Sequence, residues 1–464
     1  MVADRVTNLG ETGQRDALLW FCNQRPGSEG FGASVGRRDK AYLTVRGYSE
    51  VMGREYQVAA IMAASAMFTL IGYEFIRSAA TVLFKTAYGA ENLPLVMAAM
   101  PAVVFCGVWI YSRILNHLGP QGTLLVTSLG SGLLILSCYL ILLTGVDWVT
   151  VPLYLLKELY IVLLIEQYWS YINSSLTPAT ARKVNGPITG VAGLGGAIGG
   201  ILVGMSAGSY GTENMVLVAA FSCLPAAGLS NYAYRRFGEP VQPEASKVHG
   251  KMGWQFLKAN PMLLYLLSIV LVSQVVSAVL DYRFQGLLST EFDGRPDEET
   301  EFQGKFFGTL NASVLLLQFC ITPLLLTFVA LRWVHILMPL IHVNAIAFAI
   351  YEPSVFSVGL AFFLFKAFDY SIFRAAKELL YLPLSFDERY RTKEIIDVFG
   401  YRTGKGASSV VIVALQNLGV VMSNYYLATA FVATSLWLAL IFPLTRRAAD
   451  NEAASRAPVS EKID

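Results

Sequence analysis

Apolar stretches of 18 residues or more recur along almost the whole chain, and this pattern limits the folds that the chain can adopt. Each stretch is long enough to cross the hydrocarbon core of a bilayer, about 30 Å thick, as an α-helix. Of the 464 residues, 55% are hydrophobic and 15% charged, which is far too apolar for an ordinary soluble protein. We therefore predict an all-α polytopic membrane protein. Its twelve predicted transmembrane helices are 57–84, 93–116, 122–145, 148–176, 187–208, 213–234, 262–290, 306–330, 333–351, 354–384, 398–418 and 423–445.

The distribution of basic residues predicts the orientation. Most of the 35 Lys and Arg residues fall at the two ends of the chain and at every second junction between predicted helices. Only Lys85, Arg295 and Lys305 fall at junctions on the opposite side. Because cytoplasmic loops carry the excess of Lys and Arg, we predict that both termini of this multi-pass integral membrane protein are cytoplasmic. A missed helix would mix the two groups of junctions, so their separation supports the count of twelve.

The longest polar interior segment divides the twelve helices into six and six. We interpret this segment, 235–261, as a cytoplasmic linker between two six-helix bundles, 57–234 and 262–445. Residues 1–56 are predicted to form a cytoplasmic N-terminal extension, with a short interfacial helix at RDALLWFCNQ (15–24). Residues 446–464 are predicted to form a cytoplasmic tail.

The two predicted bundles resemble each other in sequence. A shift of 209 residues places YLLKELYIVLLIEQYWSYI (154–172) on FLFKAFDYSIFRAAKELLY (363–381), so that Lys157 falls on Lys366. A shift of 206 residues places Arg77 on Arg283. Since both bundles begin on the cytoplasmic side, they form a parallel repeat. Two six-helix repeats related in this way are the plan of major-facilitator transporters, which bind substrate near the bilayer midplane between the halves.

Twelve charged residues lie inside four of the predicted helices, 57–84, 148–176, 262–290 and 354–384. A charge at the bilayer centre costs about 2.5–3.5 kcal/mol on insertion scales, so these side chains are expected to face the bundle interior or a wet cavity. We predict that one group contacts substrate: Arg77, Lys157, Glu158, Asp281, Lys366, Arg374 and Lys377. We predict that a second group acts in gating or coupling: Glu74, Glu166, Arg283, Asp369 and Glu378. Pairs within one helix, such as Glu74–Arg77 and Arg374–Glu378, could instead only neutralise each other.

The charged residues fall on the first and fourth helices of each predicted bundle. On the tenth predicted helix, the five charged residues between 366 and 378 that define its polar face, together with Tyr370, span about half of the helical circumference. On the seventh, Ser273, Ser277, Asp281 and Gln285 recur every four residues. In a major-facilitator arrangement the first and fourth helices line the cavity. We therefore expect these charges to surround one central site.

Other classes of protein find no support in the sequence. A net charge of +2 gives no reason to expect a nucleic-acid partner. The five cysteines lack CxxC spacing and the four histidines are scattered, so we expect neither a metal site nor a cofactor. No nucleophile–base constellation is visible, so we do not expect an enzyme. The expected partners are the lipid bilayer and a small-molecule substrate, with the chain acting as a monomer.

Two glycine clusters require separate interpretation. GLGGAIGG (193–200) and GYRTGKG (400–406) both lack the spacing of phosphate-binding loops. In the first, Gly195/Gly199 and Gly196/Gly200 are small-xxx-small pairs, which let membrane helices approach closely. We therefore predict helix contacts at the first cluster.

The segments FRAAKELLYLPL (373–384) and TKEIIDVFGYRTGKG (392–406) resemble the signature of the ATP/ADP antiporters, the nucleotide transporters of plastids and intracellular bacteria. FIRSAATVLFKTAYGAENLPL (75–95) is similar to that family's first helix, and LKELYIVLL (156–164) to its fourth. The likeness runs from about 70 to 445. It implies a major-facilitator-like fold, nucleotide transport and a bacterial inner membrane. It also implies transport roles for Glu158, Asp281 and Lys377, with Lys405 as a further candidate.

The chain differs from the family at functional positions. The family's first-helix lysine corresponds to Ala80, and the Asp-Pro that precedes the Lys-Glu signature is replaced by Arg374-Ala375. The twelve charges on the first and fourth helices of the two bundles are also balanced, six of each sign. We expect a secondary transporter that works by alternating access on an anionic, nucleotide-like substrate, although the motif alone does not imply ATP/ADP exchange. Two alternatives stay open: a carrier of a zwitterionic or lipid-like solute on the same fold, and a non-transporting membrane sensor or scaffold.

Overall fold

The computed structural model describes residues 37–238, 255, 257–258 and 260–456, and the regular structure in this part of the chain is helical. The chain divides into two compact units, 1–53 and 54–464, and all side chains discussed below lie in the second. The predicted interfacial helix at 15–24 lies outside the described residues, as do most of the predicted linker and the end of the predicted tail.

The described part of the first half, residues 37–238, contains six helices. They are α1 (Arg37–Tyr88), α2 (Leu93–Ala98), α3 (Met100–Leu142), α4 (Thr150–Ser175), α5 (Pro178–Tyr210) and α6 (Thr212–Phe237). Short 3₁₀ turns at Ala90–Asn92 and Asp147–Val149 precede α2 and α4.

The described part of the second half, residues 260–456, contains nine α-helical segments. They are α7 (Pro261–Glu291), α8 (Pro296–Leu316), α9 (Thr322–Phe328), α10 (Leu331–Tyr351), α11 (Val355–Phe368), α12 (Arg374–Leu380), α13 (Phe386–Lys393), α14 (Tyr401–Asn417) and α15 (Tyr426–Arg456). Single π-helical turns join three pairs of segments without a loop: Leu317–Ile321, Asp369–Phe373 and Glu394–Gly400.

Local sequence signals explain where several helices begin. Proline, which lacks an N–H and is pre-set for helical φ, occupies the first turn of α5, α7 and α8. The Thr177 hydroxyl accepts a hydrogen bond from the Thr180 N–H, and the Asn260 side chain accepts one from the Met262 N–H. Ser354 and Ser357 form a reciprocal capping box at the start of α11. These caps satisfy N–H groups that have no partner inside the helix.

Ten helices of the described chain are long and apolar enough to cross a membrane, which confirms a polytopic all-α protein. The difference from twelve has two sources. Predicted helices 93–116 and 122–145 fall largely in the 43-residue α3, and 398–418 corresponds to the 17-residue α14. At 1.5 Å per residue α3 would be about 65 Å long if straight, twice a bilayer core. Gly119 (φ 68°, ψ 178°), followed by Pro120, interrupts it between the two predicted helices. The exact count of twelve stays a prediction.

The two halves pack against each other along α5 and α8. The predicted small-xxx-small pairs contact two different helices. A Cβ built on Gly195 would lie 2.3 Å from the Met67 carbonyl oxygen of α1, whereas one built on Gly200 would lie 2.4 Å from the Cα of Gly308 on α8. Only glycine permits backbones this close. At another place along the interface, α14 packs against α2 and α3.

Candidate functional site

Six of the described charged residues come together where the two halves meet, and we call them the central cluster. They lie on the helices α1, α4, α7, α11 and α14, so that both halves contribute. The members are Arg77, Lys157, Glu158, Asp281, Lys366 and Lys405. Five of these are predicted substrate-contacting residues, and the sixth is the further candidate that the family resemblance suggested.

The two carboxylates of the central cluster share the same cations. The Asp281 Oδ2 lies 3.4 Å from the Lys405 Nζ, and the Glu158 Oε1 lies 3.4 Å from the Lys157 Nζ. Asp281 also interacts electrostatically with Lys366, Lys157 and Arg77, and Glu158 interacts with Lys405 and Arg77. Charge-assisted hydrogen bonds between ammonium and carboxylate groups are usually about 2.7–2.9 Å long. These longer pairs therefore neutralise charge without tightly binding either lysine.

Lys157 and Lys366 occupy corresponding places in the two halves. Lys157 on α4 donates a hydrogen bond of 3.1 Å to the Thr81 hydroxyl of α1. Lys366 on α11 donates one of 2.8 Å to the Ser277 hydroxyl of α7. Both lysines are buried, with exposed fractions of 4% and 8%. Each lysine thus contacts a hydroxyl on the first long helix of its own half, as expected from their alignment in the predicted repeat.

Glu74 and Arg77 form an ion pair within α1 that also reaches the other half. The Arg77 Nη1 lies 3.4 Å from the Glu74 Oε1, which accepts a 3.0 Å hydrogen bond from the Asn311 amide of α8. The Arg77 guanidinium carbon lies 3.5 Å from the centroid of the Phe307 ring, also on α8. This geometry is that of a cation–π contact. The Glu74–Arg77 pair therefore not only neutralises its own charges but also connects α1 to α8 of the other half.

The charges of 366–378 separate into two groups. The π turn at Asp369–Phe373 adds a residue to the helix and changes the direction in which later side chains point. Beyond it, the Lys377 Nζ lies 2.5 Å from the Asp397 Oδ1, and the Glu378 Oε2 lies 2.6 Å from the Lys393 Nζ. Lys377 and Glu378 therefore tie α12 to the segment that precedes α14. Their predicted functional roles remain predictions.

The other predicted residues lie in different surroundings. Asp369 is buried and interacts electrostatically with Lys366, Arg374 and Lys377, while Arg374 is exposed. Glu166 is exposed on α4 and interacts electrostatically with Tyr111 of α3. Among the described residues, no group of His, Cys, Asp and Glu side chains could hold a metal ion.

One functional candidate, Lys85, was missed at the sequence level, where it looked like a residue of a loop. We call the end of the bundle at which α1 and α7 finish the outer end; the charge pattern predicts that it is extracytoplasmic. There Lys85 is buried, forms an ion pair with Glu299 of α8, and donates a 2.8 Å hydrogen bond to the Gln285 Oε1 of α7. The only available signal was the four-residue spacing of Arg77, Thr81 and Lys85, which places the three side chains on one face of a helix.

Further polar contacts join the halves at the outer end. The Thr212 N–H and hydroxyl each donate a 2.7 Å hydrogen bond to the Asp297 Oδ1. The Gln416 amide of α14 donates a 3.1 Å hydrogen bond to the Glu91 carbonyl oxygen. Together with Lys85 and Glu299, these contacts hold the outer ends of the two halves together.

Sequence comparisons identify related proteins. A family model described as TLC ATP/ADP transporter matches residues 312–447, which include both signature segments. ADP,ATP carrier protein 1 of Chlamydia muridarum (strain MoPn / Nigg) is 24% identical over 361 residues, covering 68% of each chain. The protein of the same name from Chlamydia trachomatis serovar D is 23% identical with the same coverage. The resemblance to ATP/ADP antiporters is thereby confirmed.

Comparison with solved structures supports the major-facilitator-like fold. An autoinhibited POT family peptide transporter superposes with a TM-score of 0.60 at 11% identity, covering 85% of this chain and 97% of its own. A bacterial homologue of the lysosomal transporter Spinster, in an inward-facing conformation, gives 0.56 at 14%, covering 87% and 97%. The nucleoside transporter NupG gives 0.55 at 10%, covering 85% and 98%. At these identities the likeness shows the fold alone.

Proposed function

Since the chain is a diverged relative of the TLC ATP/ADP transporters, we propose that it is a secondary transporter that carries an anionic, nucleotide-like solute by alternating access. The observation that carries the proposal is the central cluster, in which four cations from four helices surround two carboxylates. When the neighbouring Glu74, Asp369 and Arg374 are counted as well, five cations still face four carboxylates, so one positive charge is in excess. A buried site of this composition favours an anion.

We further propose that the substrate's phosphates replace Glu158 and Asp281 as the partners of the cations. Without substrate, the two carboxylates offset the cost of burying several positive charges. Because their pairs with Lys157 and Lys405 are 3.4 Å long, a phosphate can form shorter charge-assisted bonds to the same lysines. The balanced number of charges in the sequence then reflects internal counter-ions rather than a zwitterionic ligand.

Aromatic rings beside the central cluster favour a ligand with a planar group. The Lys157 Nζ lies 3.8 Å from the Tyr154 ring centroid, and the Lys366 Nζ lies 5.2 Å from that of Tyr370. The Arg77 guanidinium carbon lies 5.7 Å from the centroid of Tyr73. Rings of this kind can stack on a nucleobase whatever its identity. Cations for the phosphates and rings for the base therefore occur side by side.

The position of the cations in both halves supports the proposed alternating access. An anion held by Arg77 and Lys157 on one side and by Lys366 and Lys405 on the other must respond when the halves rotate. A ligand shifts such an equilibrium only by binding one arrangement more tightly than the other. We expect the occupied central cluster to do this, with the contacts at the outer end breaking as the halves separate there.

Glutamine in place of Lys157 or of Lys366 should lower uptake of labelled ATP into reconstituted vesicles by at least about tenfold. Each change removes a charged donor, whose hydrogen bonds are worth about 1.5–3 kcal/mol, and tenfold corresponds to about 1.4 kcal/mol. Initial rates at several ATP concentrations measure the effect. Lys183→Gln, at an exposed lysine of α5, is the matched control and should transport normally. Folded Lys157→Gln and Lys366→Gln proteins with unchanged uptake would contradict the proposed site.

A further inference from the structure

A cavity that none of the central-cluster residues lines opens at the outer end. It has a volume of about 820 Å³ and is lined by residues of α1, α7, α8, α14 and α15 and of the turns after α1, α7 and α14. This volume is within the range of small-molecule sites, about 300–1,000 Å³. We call it the outer cavity. Lys85 and Glu299 form part of its wall, and their ion pair lies in the layer of contacts that closes the outer end.

The outer cavity contains a cation with no described partner. The Arg283 side chain lines the cavity and makes no hydrogen bond or ion pair within the described part of the chain, and its Nε atom is buried. The other cations of α1, α4 and α14 discussed above each pair with a carboxylate. A buried, unpaired polar group is costly and requires an explanation. Since Arg283 lines a cavity, the most direct explanation is that its side chain binds a ligand there.

A second polar group without a partner lies in the same wall. The Ser289 hydroxyl oxygen is buried, has no hydrogen-bond partner in the structure, and belongs to a residue that lines the outer cavity. Ser289 and Arg283 are six residues apart on α7, less than two turns. At a rise of 1.5 Å per residue the two positions lie about 9 Å apart along the helix axis, so Ser289 can meet only a second group of a ligand that Arg283 holds.

The other charged residues that line the cavity are paired or exposed, so they compete little with Arg283 for a ligand. Lys85 is neutralised by Glu299, and Arg295 at the rim forms an ion pair of 2.8 Å with Glu298. The acids Glu91 and Asp293 line the rim and are exposed, so that solvent and salt screen them. Screening weakens their effect on a ligand at Arg283, a half-buried residue whose Nε atom is shielded from solvent.

We propose that the outer cavity is an anion-binding site in which Arg283 holds the phosphate group of a solute. Arginine suits this role because its planar guanidinium can donate two parallel hydrogen bonds to phosphate oxygens. The rings of Tyr282 and Tyr426, with centroids 6.0 Å apart, line the same cavity and can contact the apolar part of the solute. The site could bind substrate on its way to the central cluster, and that role rests on the proposed function. Binding of an anion at Arg283 does not depend on the proposed function.

Protection of an engineered cysteine tests the site without measuring transport. Thr290 is exposed and lines the cavity, so Thr290→Cys, in the full chain with its five native cysteines replaced, should react with a membrane-impermeant maleimide. Inorganic phosphate, pyrophosphate and ATP should each slow the labelling in a saturable way, and adenosine should not. Adding Arg283→Gln should raise the concentration for half-maximal protection by at least about tenfold, the loss of one charge-assisted contact. Arg332→Gln, at an exposed arginine of α10, should leave it unchanged.

The outcomes separate this site from the proposed function. Protection that depends on Arg283 supports the site even if reconstituted vesicles take up no nucleotide. Labelling that no phosphate compound slows, or that is slowed equally with Arg283→Gln, overturns the site even if nucleotide uptake is normal. Protection by adenosine equal to that by ATP would also overturn it, because the ligand would not be bound by its negative charge.

Discussion

Alanine in place of Gly200 should lower the exchange rate in reconstituted vesicles by ten- to a hundredfold. The added Cβ would lie 2.4 Å from both the Cα and the N of Gly308, so backbone rather than a flexible side chain must move. Overpacking of this kind costs about 1–3 kcal/mol, or up to about a hundredfold in an equilibrium constant. Because the contact joins α5 of one half to α8 of the other, this energy should disfavour the arrangement in which the outer end is closed.

The same experiment has a control within the chain. A Cβ on Gly228 of α6 would meet no atom within 4 Å, so Gly228→Ala should transport normally and be slightly more stable, since alanine favours a helix by up to about 1 kcal/mol over glycine. The labelling rate of a cysteine at position 300, where Thr300 is buried and lies 3.0 Å from the Thr212 hydroxyl of the other half, reports opening of the outer end and should rise with Gly200→Ala. An equal exchange rate for Gly200→Ala, Gly228→Ala and the wild type would show that close contact of α5 and α8 is not needed for the cycle.

Methionine in place of Lys85 should destabilise the protein strongly. The change leaves the buried Glu299 carboxylate without its cation, and breaking a buried ion pair from one side costs about 3–5 kcal/mol. The Gln285 side chain also loses the donor of its 2.8 Å hydrogen bond. A lower midpoint of thermal unfolding in detergent and loss of transport are the expected results.

A double-mutant cycle distinguishes the ion pair from a general effect of the substitution. Lys85→Met combined with Glu299→Gln removes both charges, and Gln303, which donates to Gln285 and Glu299, can still donate to an amide oxygen at position 299. The double variant should recover much of the stability that Lys85→Met loses, a coupling of about 1–3 kcal/mol. Strictly additive losses would mean that Lys85 and Glu299 do not stabilise each other.

Much of the fold and part of the site could be predicted from the sequence because they depend on local patterns. The apolar stretches predicted the helices, and the four-residue spacing of glycines in 193–200 predicted two close helix contacts. The alignment of Lys157 with Lys366 predicted two lysines in corresponding places, and both belong to the central cluster. The helices and the glycine contacts are each encoded within about twenty residues, and the correspondence of the lysines by two segments of nineteen residues, 154–172 and 363–381.

The remaining features depend on contacts between distant residues. Lys85 looked like a loop residue because its partner Glu299 lies 214 positions later, in the other half. Lys377 and Glu378 were grouped with Lys366 by assuming 3.6 residues per turn, whereas the π turn at Asp369–Phe373 interrupts that period. No propensity in the sequence marks such a turn. Most cations of the central cluster could be predicted because a charge inside a transmembrane helix is energetically costly and so indicates a function. That these cations share two carboxylates was visible only in the structure.

The most direct measurement is uptake of labelled ATP and ADP by the purified protein in vesicles, compared with uptake of adenosine, with and without nucleotide loaded inside. The proposed function predicts saturable uptake of the phosphorylated compounds alone, competition by other phosphate-bearing compounds, and its loss with Lys157→Gln. Internal nucleotide that accelerates uptake would identify exchange, despite Ala80 at the position of the family's lysine. A folded wild-type protein that takes up neither nucleotide, with internal nucleotide or without it, would contradict nucleotide transport.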